Sequence, residues 1–137
     1  MSEVFARITE TAIDEAAVQA AVESPECGAR VMFHGVIRDH DGGDDVRSLD
    51  YSAHPQAEEF LARIVAEEAE RTGLALAAWH RIGHLQIGDA ALVAASAAPH
   101  RREAFEAIEA LVERIKHEVP IWKRQHYTSG SSDWVGL

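Results

Sequence analysis

The sequence predicts an α+β domain in which three helices pack on a mainly antiparallel sheet. Three observations lead there. Strand-like apolar runs recur along the chain, three separate segments carry helical periodicity, and the resulting order is βαββαββαββ. Simple βαβ alternation would favour a parallel sheet, whereas successive strands between helices favour antiparallel pairing.

Taken in order, VFARIT (4–9) alternates and predicts a short strand. TAIDEAAVQAAVE (11–23) predicts a helix, with Thr11 and Asp14 at capping-box spacing. GARVMFHGVIRD (28–39) is strand-like and breaks at HDGGDD, a glycine-rich turn; RSLDYSAH follows, so 29–53 predicts a long hairpin with Gly42-Gly43 at its tip. Pro55 suits the first turn of a helix over PQAEEFLARIVAEEAERTG. Phe60, Ile64 and Val65 give that helix its apolar face, and Gly73 its stop.

LALAAWHRIG and ALVAASAA are two apolar strands joined by HLQIGDA. Pro99 opens the third helix, HRREAFEAIEALVERIKHEV, with Phe105, Ile108, Val112 and Ile115 as its stripe; Pro120 ends it. IWKRQHY and SDWVG predict two closing strands around SGS.

The 137 residues fit one domain over 1–137, and a 47% hydrophobic content supplies a core. No run reaches the ~20 apolar residues of a membrane span, and MSEVFARITE lacks the pattern of a signal peptide. The expectation is a cytoplasmic protein with no membrane partner. A formal net charge of -10 argues against nucleic acid, which requires a basic surface. The single cysteine, Cys27, excludes an intrachain disulfide and a cysteine zinc cluster, and it reads as structural.

Against this acidic background, KHEVPIWKRQHY (116–127) gathers cations around a proline and a tryptophan. Lys116 lies four residues after Val112, toward the buried side of its helix or the edge of it. It either snorkels from the last turn or stands partly desolvated at a pocket wall, where it can act as a base. Beyond Pro120, alternation puts Ile121 and Lys123 on one face, with Trp122 and Arg124 on the other.

The third helix also begins with His100-Arg101-Arg102, cations at an end where the macrodipole disfavours them. Either they splay into water or they surround an anion. Arg38 closes the strand MFHGVIR after Gly35. His80 and His84 in HRIGH resemble a ligand pair, but the strand-like context and Gly83 argue against a metal. No cofactor motif is present.

Together, GVIRDH, HRIGHLQIGD, APHRREAF, KHEVPIWK and the closing WVG, in this order over about 28–136, resemble the large, catalytic subunit of molybdopterin synthase. The resemblance implies an α/β hammerhead fold and a sulfurtransferase that inserts two sulfurs into cyclic pyranopterin monophosphate, forming the dithiolene of molybdopterin. It implies no bound cofactor. The implied partner is a small ubiquitin-like carrier whose C-terminal Gly-Gly bears the thiocarboxylate, in a heterotetramer built on a homodimer of large subunits.

By the same resemblance, Arg38, His100 and Arg101 hold the precursor, with Arg38 contributed across the dimer interface. Lys116 leads the catalysis as acid/base or as stabiliser of anionic intermediates, and Lys123 supports it. Val36, Ile37, Arg124 and Gln125 line the same pocket. Gln125 stands where some members carry an acid, and His34 where they are usually apolar or aromatic. The chain ends WVGL, so it is not the sulfur carrier itself. The competing reading is a non-catalytic partner-binding module on the same fold.

Overall fold

The computed structural model describes residues 4–41, 43–130 and 132–136. Strand β1 (Phe5–Thr9) and helix α1 (Glu15–Val22) are followed by β2 (Ala29–Val36), β3 (His40–Asp41) and β4 (Asp44–Ala53). Helix α2 (Ala57–Thr72) leads to β5 (Ala75–Arg81), β6 (Gly83–Gln86) and β7 (Ala90–Ala98), and α3 (Arg101–Glu118) to β8 (Ile121–Tyr127) and β9 (Ser132–Gly136).

Two sheets result. The first has the order β1-β5-β7-β2, and the second runs β3-β4-β8-β9 with β6 also on β4. Among the described residues only β1 with β5 is parallel, and the other pairs are antiparallel. The α+β expectation therefore holds.

The first sheet is covered on both faces, which explains why β5 and β7 read as continuous apolar runs. Leu76, Ala78, Leu92 and Ala94 face α2 and α3, packing on Leu61, Ile64, Val65, Leu111 and Ile115. Ala77, Trp79, Val93 and Ala95 face α1 through Val18 and Val22. Ser96, buried in this layer, donates its hydroxyl to the Ala104 carbonyl at 2.7 Å and pins the start of α3 on β7. Gly28 is required nearby, since a Cβ there would lie 2.9 Å from the Pro99 carbonyl oxygen.

Several local expectations need correction. Asp14 alone is the N-cap of α1, its carboxylate accepting from the Ala17 N–H at 3.2 Å, and Thr11 lies outside the helix. Pro55 sits in the turn before α2, whose cap is Gln56. Gly73 closes that helix in the left-handed region as expected, at φ 71°. On α3 the buried stripe is Ala104, Ala107, Ile108, Leu111, Val112 and Ile115; Phe105 lies beside it and is exposed.

The predicted long hairpin over 29–53 does not form. Strand β2 pairs with β7, from Ala29 opposite Ala98 to Val36 opposite Ala90, with a bulge at Gly35/Val36. The chain then crosses to the second sheet, held by Ile37 N–H to the Asp89 carbonyl and Gly88 N–H to the Ile37 carbonyl. Only His40–Asp41 folds back on β4. Gly42 lies outside the described residues. The apolar β7 demands a partner on each edge, and that long-range requirement outweighs the local turn signal. HLQIGDA likewise proves to be more than a connector, since it supplies β6, paired with β4.

Candidate active site

Where the two sheets meet, a cavity of about 380 Å³ opens. Its floor is apolar, formed by Phe33, Leu49, Leu92 and Ile115 among others. Five segments bring polar groups to it. The segment after β2 brings Arg38; the last turn of α3 brings Lys116; β8 brings Lys123 and Gln125; β4 and the end of β5 bring Tyr51 and His80.

The register accounts for the convergence. On the β4–β8 ladder Tyr51 pairs with Lys123 and Leu49 with Gln125, so all four project from one face. Ile121, Gln125 and Tyr127 are buried on that face and Lys123 is half-buried; Trp122 and Arg124 on the other are exposed. The alternation expected for 121–124 is therefore observed. Lys116 extends from the helix at the cavity edge and is exposed, so of its two readings the desolvated one is not realised in the single chain.

Electrostatics knit the rim together. Asp41 accepts from Arg38 Nη2 at 3.2 Å and from Gln125 Nε2 at 2.8 Å. The Gln125 hydrogen bond, above all, holds the Asp41 carboxyl below its ordinary range; burial opposes this, and the charges of Lys123 and Arg38 reinforce it. Neither Lys116 nor Lys123 has an ion-pair partner among the described residues. Two ammonium groups without an ion pair among the described residues, and an arginine fork, around one concavity are suited to an anionic ligand.

Six of the nine sequence-derived site residues thus come together: Val36, Ile37, Arg38, Lys116, Lys123 and Gln125. Three do not. Arg124 points to the opposite face of β8, where its guanidinium stands 5.8 Å from the Trp134 ring centroid and donates to Ser132. His100 and Arg101 mark the far end of α3, on a separate shallow surface with Arg102 and Phe105. From His100 to Lys116 the helix rises roughly 24 Å.

Asp41, Tyr51 and His80 escaped the sequence reading. Only His80 carried a signal, as half of the HRIGH pair, and the structure separates that pair. His80 is buried at the cavity wall, while His84 engages Asp50 on the outer face at 2.8 Å. Among the described residues no cluster of three or more histidine, cysteine or acidic side chains is arranged to hold a metal, and no helix is long and apolar enough to cross a membrane. Cys27 lies away from the cavity, against the core layer under α1.

The family model described as "MoaE protein" matches residues 8–118. The chain belongs to the MoaE protein family. It is 43% identical over 134 residues to molybdopterin synthase catalytic subunit 1 of Mycobacterium tuberculosis, covering 96% of this chain and 90% of that protein. It is also 43% identical over 131 residues to the catalytic subunit of Bacillus subtilis, covering 94% and 83%. Among solved structures, molybdopterin synthase from Staphylococcus aureus superposes with a TM-score of 0.88 at 36% identity, over 100% of both chains. The MoaE protein of Burkholderia ambifaria gives 0.80 at 31% identity, over 98% of this chain and 90% of that one. As a MoaE protein, the chain is a molybdopterin synthase catalytic subunit, a sulfurtransferase of molybdenum cofactor biosynthesis.

Proposed function

We propose that the cavity between the two sheets binds cyclic pyranopterin monophosphate and that Lys116 and Lys123 carry its conversion to the dithiolene. The observation behind this reading is the meeting of Lys116, Lys123 and Arg38 around one concavity in a protein of net charge -10. Arg38 and Lys123 hold the phosphate. Lys116 moves protons or neutralises the anionic intermediates of sulfur addition, a role that suits an exposed ammonium at a cavity edge.

The sulfur comes from outside the chain. Cys27 is the only cysteine and is not part of the cavity. The donor in this reading is the thiocarboxylated Gly-Gly tail of a small ubiquitin-like subunit, threaded to the lysines in the cytoplasm. The distance along α3 also bears on assembly. His100 and Arg101 can act on the same precursor as Lys116 only if two copies of the chain contribute, which favours a homodimer at the centre of a heterotetramer.

Reconstitution tests this. The protein is mixed with thiocarboxylated small subunit and cyclic pyranopterin monophosphate, and dithiolene product is quantified for wild type and Lys116→Ala. Product from wild type and near-absence from the folded variant is the expected result. No product from an assembled wild-type complex would instead favour a non-catalytic partner-binding module.

A further inference from the structure

The cavity has a polar group that the lysine chemistry leaves unused. His80 is 3% exposed, yet it lines the same space as Lys116 and Lys123. Its Nδ1 lies 2.8 Å from the backbone oxygen of Arg81. A carbonyl only accepts, so Nδ1 carries the proton and Nε2 is left with a bare lone pair. Nε2 has no hydrogen-bond partner among the described residues, and the His80 side chain lines the cavity.

The surroundings keep His80 in this form. Burial pushes its pKa down to about 4, so the imidazole is neutral at physiological pH. The Tyr51 ring packs edge-on against it, with centroids 5.1 Å apart and planes at 77°, which fixes the ring orientation. Burial likewise pushes the Tyr51 phenol up to about 12, so it stays a neutral hydroxyl. The cavity is therefore two-ended: a cationic rim of Arg38, Lys116 and Lys123, and an uncharged wall holding one oriented acceptor.

We propose that His80 Nε2 accepts a hydrogen bond from a ring or exocyclic N–H of the substrate's heterocycle, making the His80–Tyr51 wall the subsite that recognises the pterin while the rim takes the phosphate. The proposal rests on the substrate reading above and adds to it a residue for the uncharged end. An acceptor built into a buried wall discriminates, because a bound ligand without the matching donor leaves it unpaired.

The test uses the assembled two-subunit protein with an unmodified carrier tail, so that binding is measured without turnover. His80→Phe keeps the ring shape and removes the acceptor; His80→Gln restores an acceptor at similar reach. Affinity for cyclic pyranopterin monophosphate should fall ~10-fold or more in folded His80→Phe and stay within ~3-fold of wild type in His80→Gln. Affinity for inorganic phosphate should be unchanged in both. Wild-type affinity in folded His80→Phe overturns the proposal, and so does an equal loss of both ligands in the two variants.

If His80→Phe does not fold, the wild-type protein decides. The His80 Nε2 nitrogen resonance should move when ligand is added, and its failure to move on saturation overturns the assignment. A phosphate-free pterin separates this proposal from the substrate reading. If it binds with a His80 shift while the cyclic phosphate does not bind, the subsite stands and the substrate reading falls. If neither binds wild type, both fall.

Discussion

Gln125 donates its side-chain amide to the Asp41 carboxylate at 2.8 Å, joining β8 to the β3–β4 hairpin across 84 residues of sequence. Because Asp41 also accepts from Arg38, this one contact fixes the arginine at the rim of the cavity. Gln125→Glu would set two carboxylates against each other and release Arg38. Turnover should fall ~10-fold or more with the fold intact, and Asp41→Asn in the same chain should restore most of it, since an amide can again donate across the gap. Lack of rescue in the double variant would show that Gln125 acts on the ligand and not through Asp41.

Lys116 and Lys123 contribute little to stability, because neither is paired among the described residues. Lys116→Ala and Lys123→Ala should each keep the wild-type melting temperature to within a few degrees. Turnover should drop about 10²-fold or more for Lys116→Ala, the scale of a lost acid–base or charge-stabilising group. For Lys123→Ala the expected signature is a higher KM together with a lower kcat. A melting temperature that falls in step with activity would assign these lysines to structure.

Cys27→Ala should retain full activity with a stability loss below about 1.5 kcal/mol, the cost of trimming one partly buried atom. The measurement is turnover with a thiocarboxylated partner beside a thermal melt. A large loss of turnover in the folded variant would place a sulfur relay on this chain.

The α2–α3 contact sets part of the acid limit of stability. Glu68, 5% exposed, bonds Arg71 at 2.7 Å and Arg114 at 3.3 Å. Arg71, chiefly by its hydrogen bond, holds the Glu68 carboxyl below its ordinary 4.5, with burial opposing and Arg114 adding to the effect. A depressed folded value means stabilisation that is complete above about pH 4.5 and is lost as pH falls through the lowered value. Glu68→Gln should cost about 1–3 kcal/mol at pH 7 and flatten the stability curve below pH 4.5. Denaturant midpoints at pH 7 and in the acid range provide the check.

Features that were legible in the sequence are those a few residues decide. Gly73 stops α2 because a left-handed residue must, Pro120 ends α3 because it lacks an N–H, and the two-residue period of β8 puts Lys123 and Arg124 on opposite faces. The partners of β2 and β4 were not legible. Turn residues at 39–45 signal a reversal but not which strand receives it, and β7 competes for β2 from more than fifty residues away. The same limit hid Asp41 and His80. A carboxylate in a glycine-rich turn and a histidine in an apolar strand have no visible role until Gln125, Arg38 and the cavity are beside them. Arg124 shows the converse, since the family resemblance implied a place in the pocket while strand alternation already turned it to the opposite face.

The length of α3 gives the last prediction. His100 and Lys116 are roughly 24 Å apart on one rigid helix, too far to touch one precursor, so a site using both must be shared between copies. In a two-fold dimer each site then takes His100 and Arg101 from one chain and the lysines from the other. His100→Ala/Arg101→Ala and Lys116→Ala should each be inactive alone. Co-refolded in equal amounts, half the dimers are mixed and each mixed dimer holds one intact site, so activity should return to about a quarter of wild type. If the cations at the start of α3 act within their own chain, or not at all on the precursor, mixing restores nothing beyond the sum of the two variants.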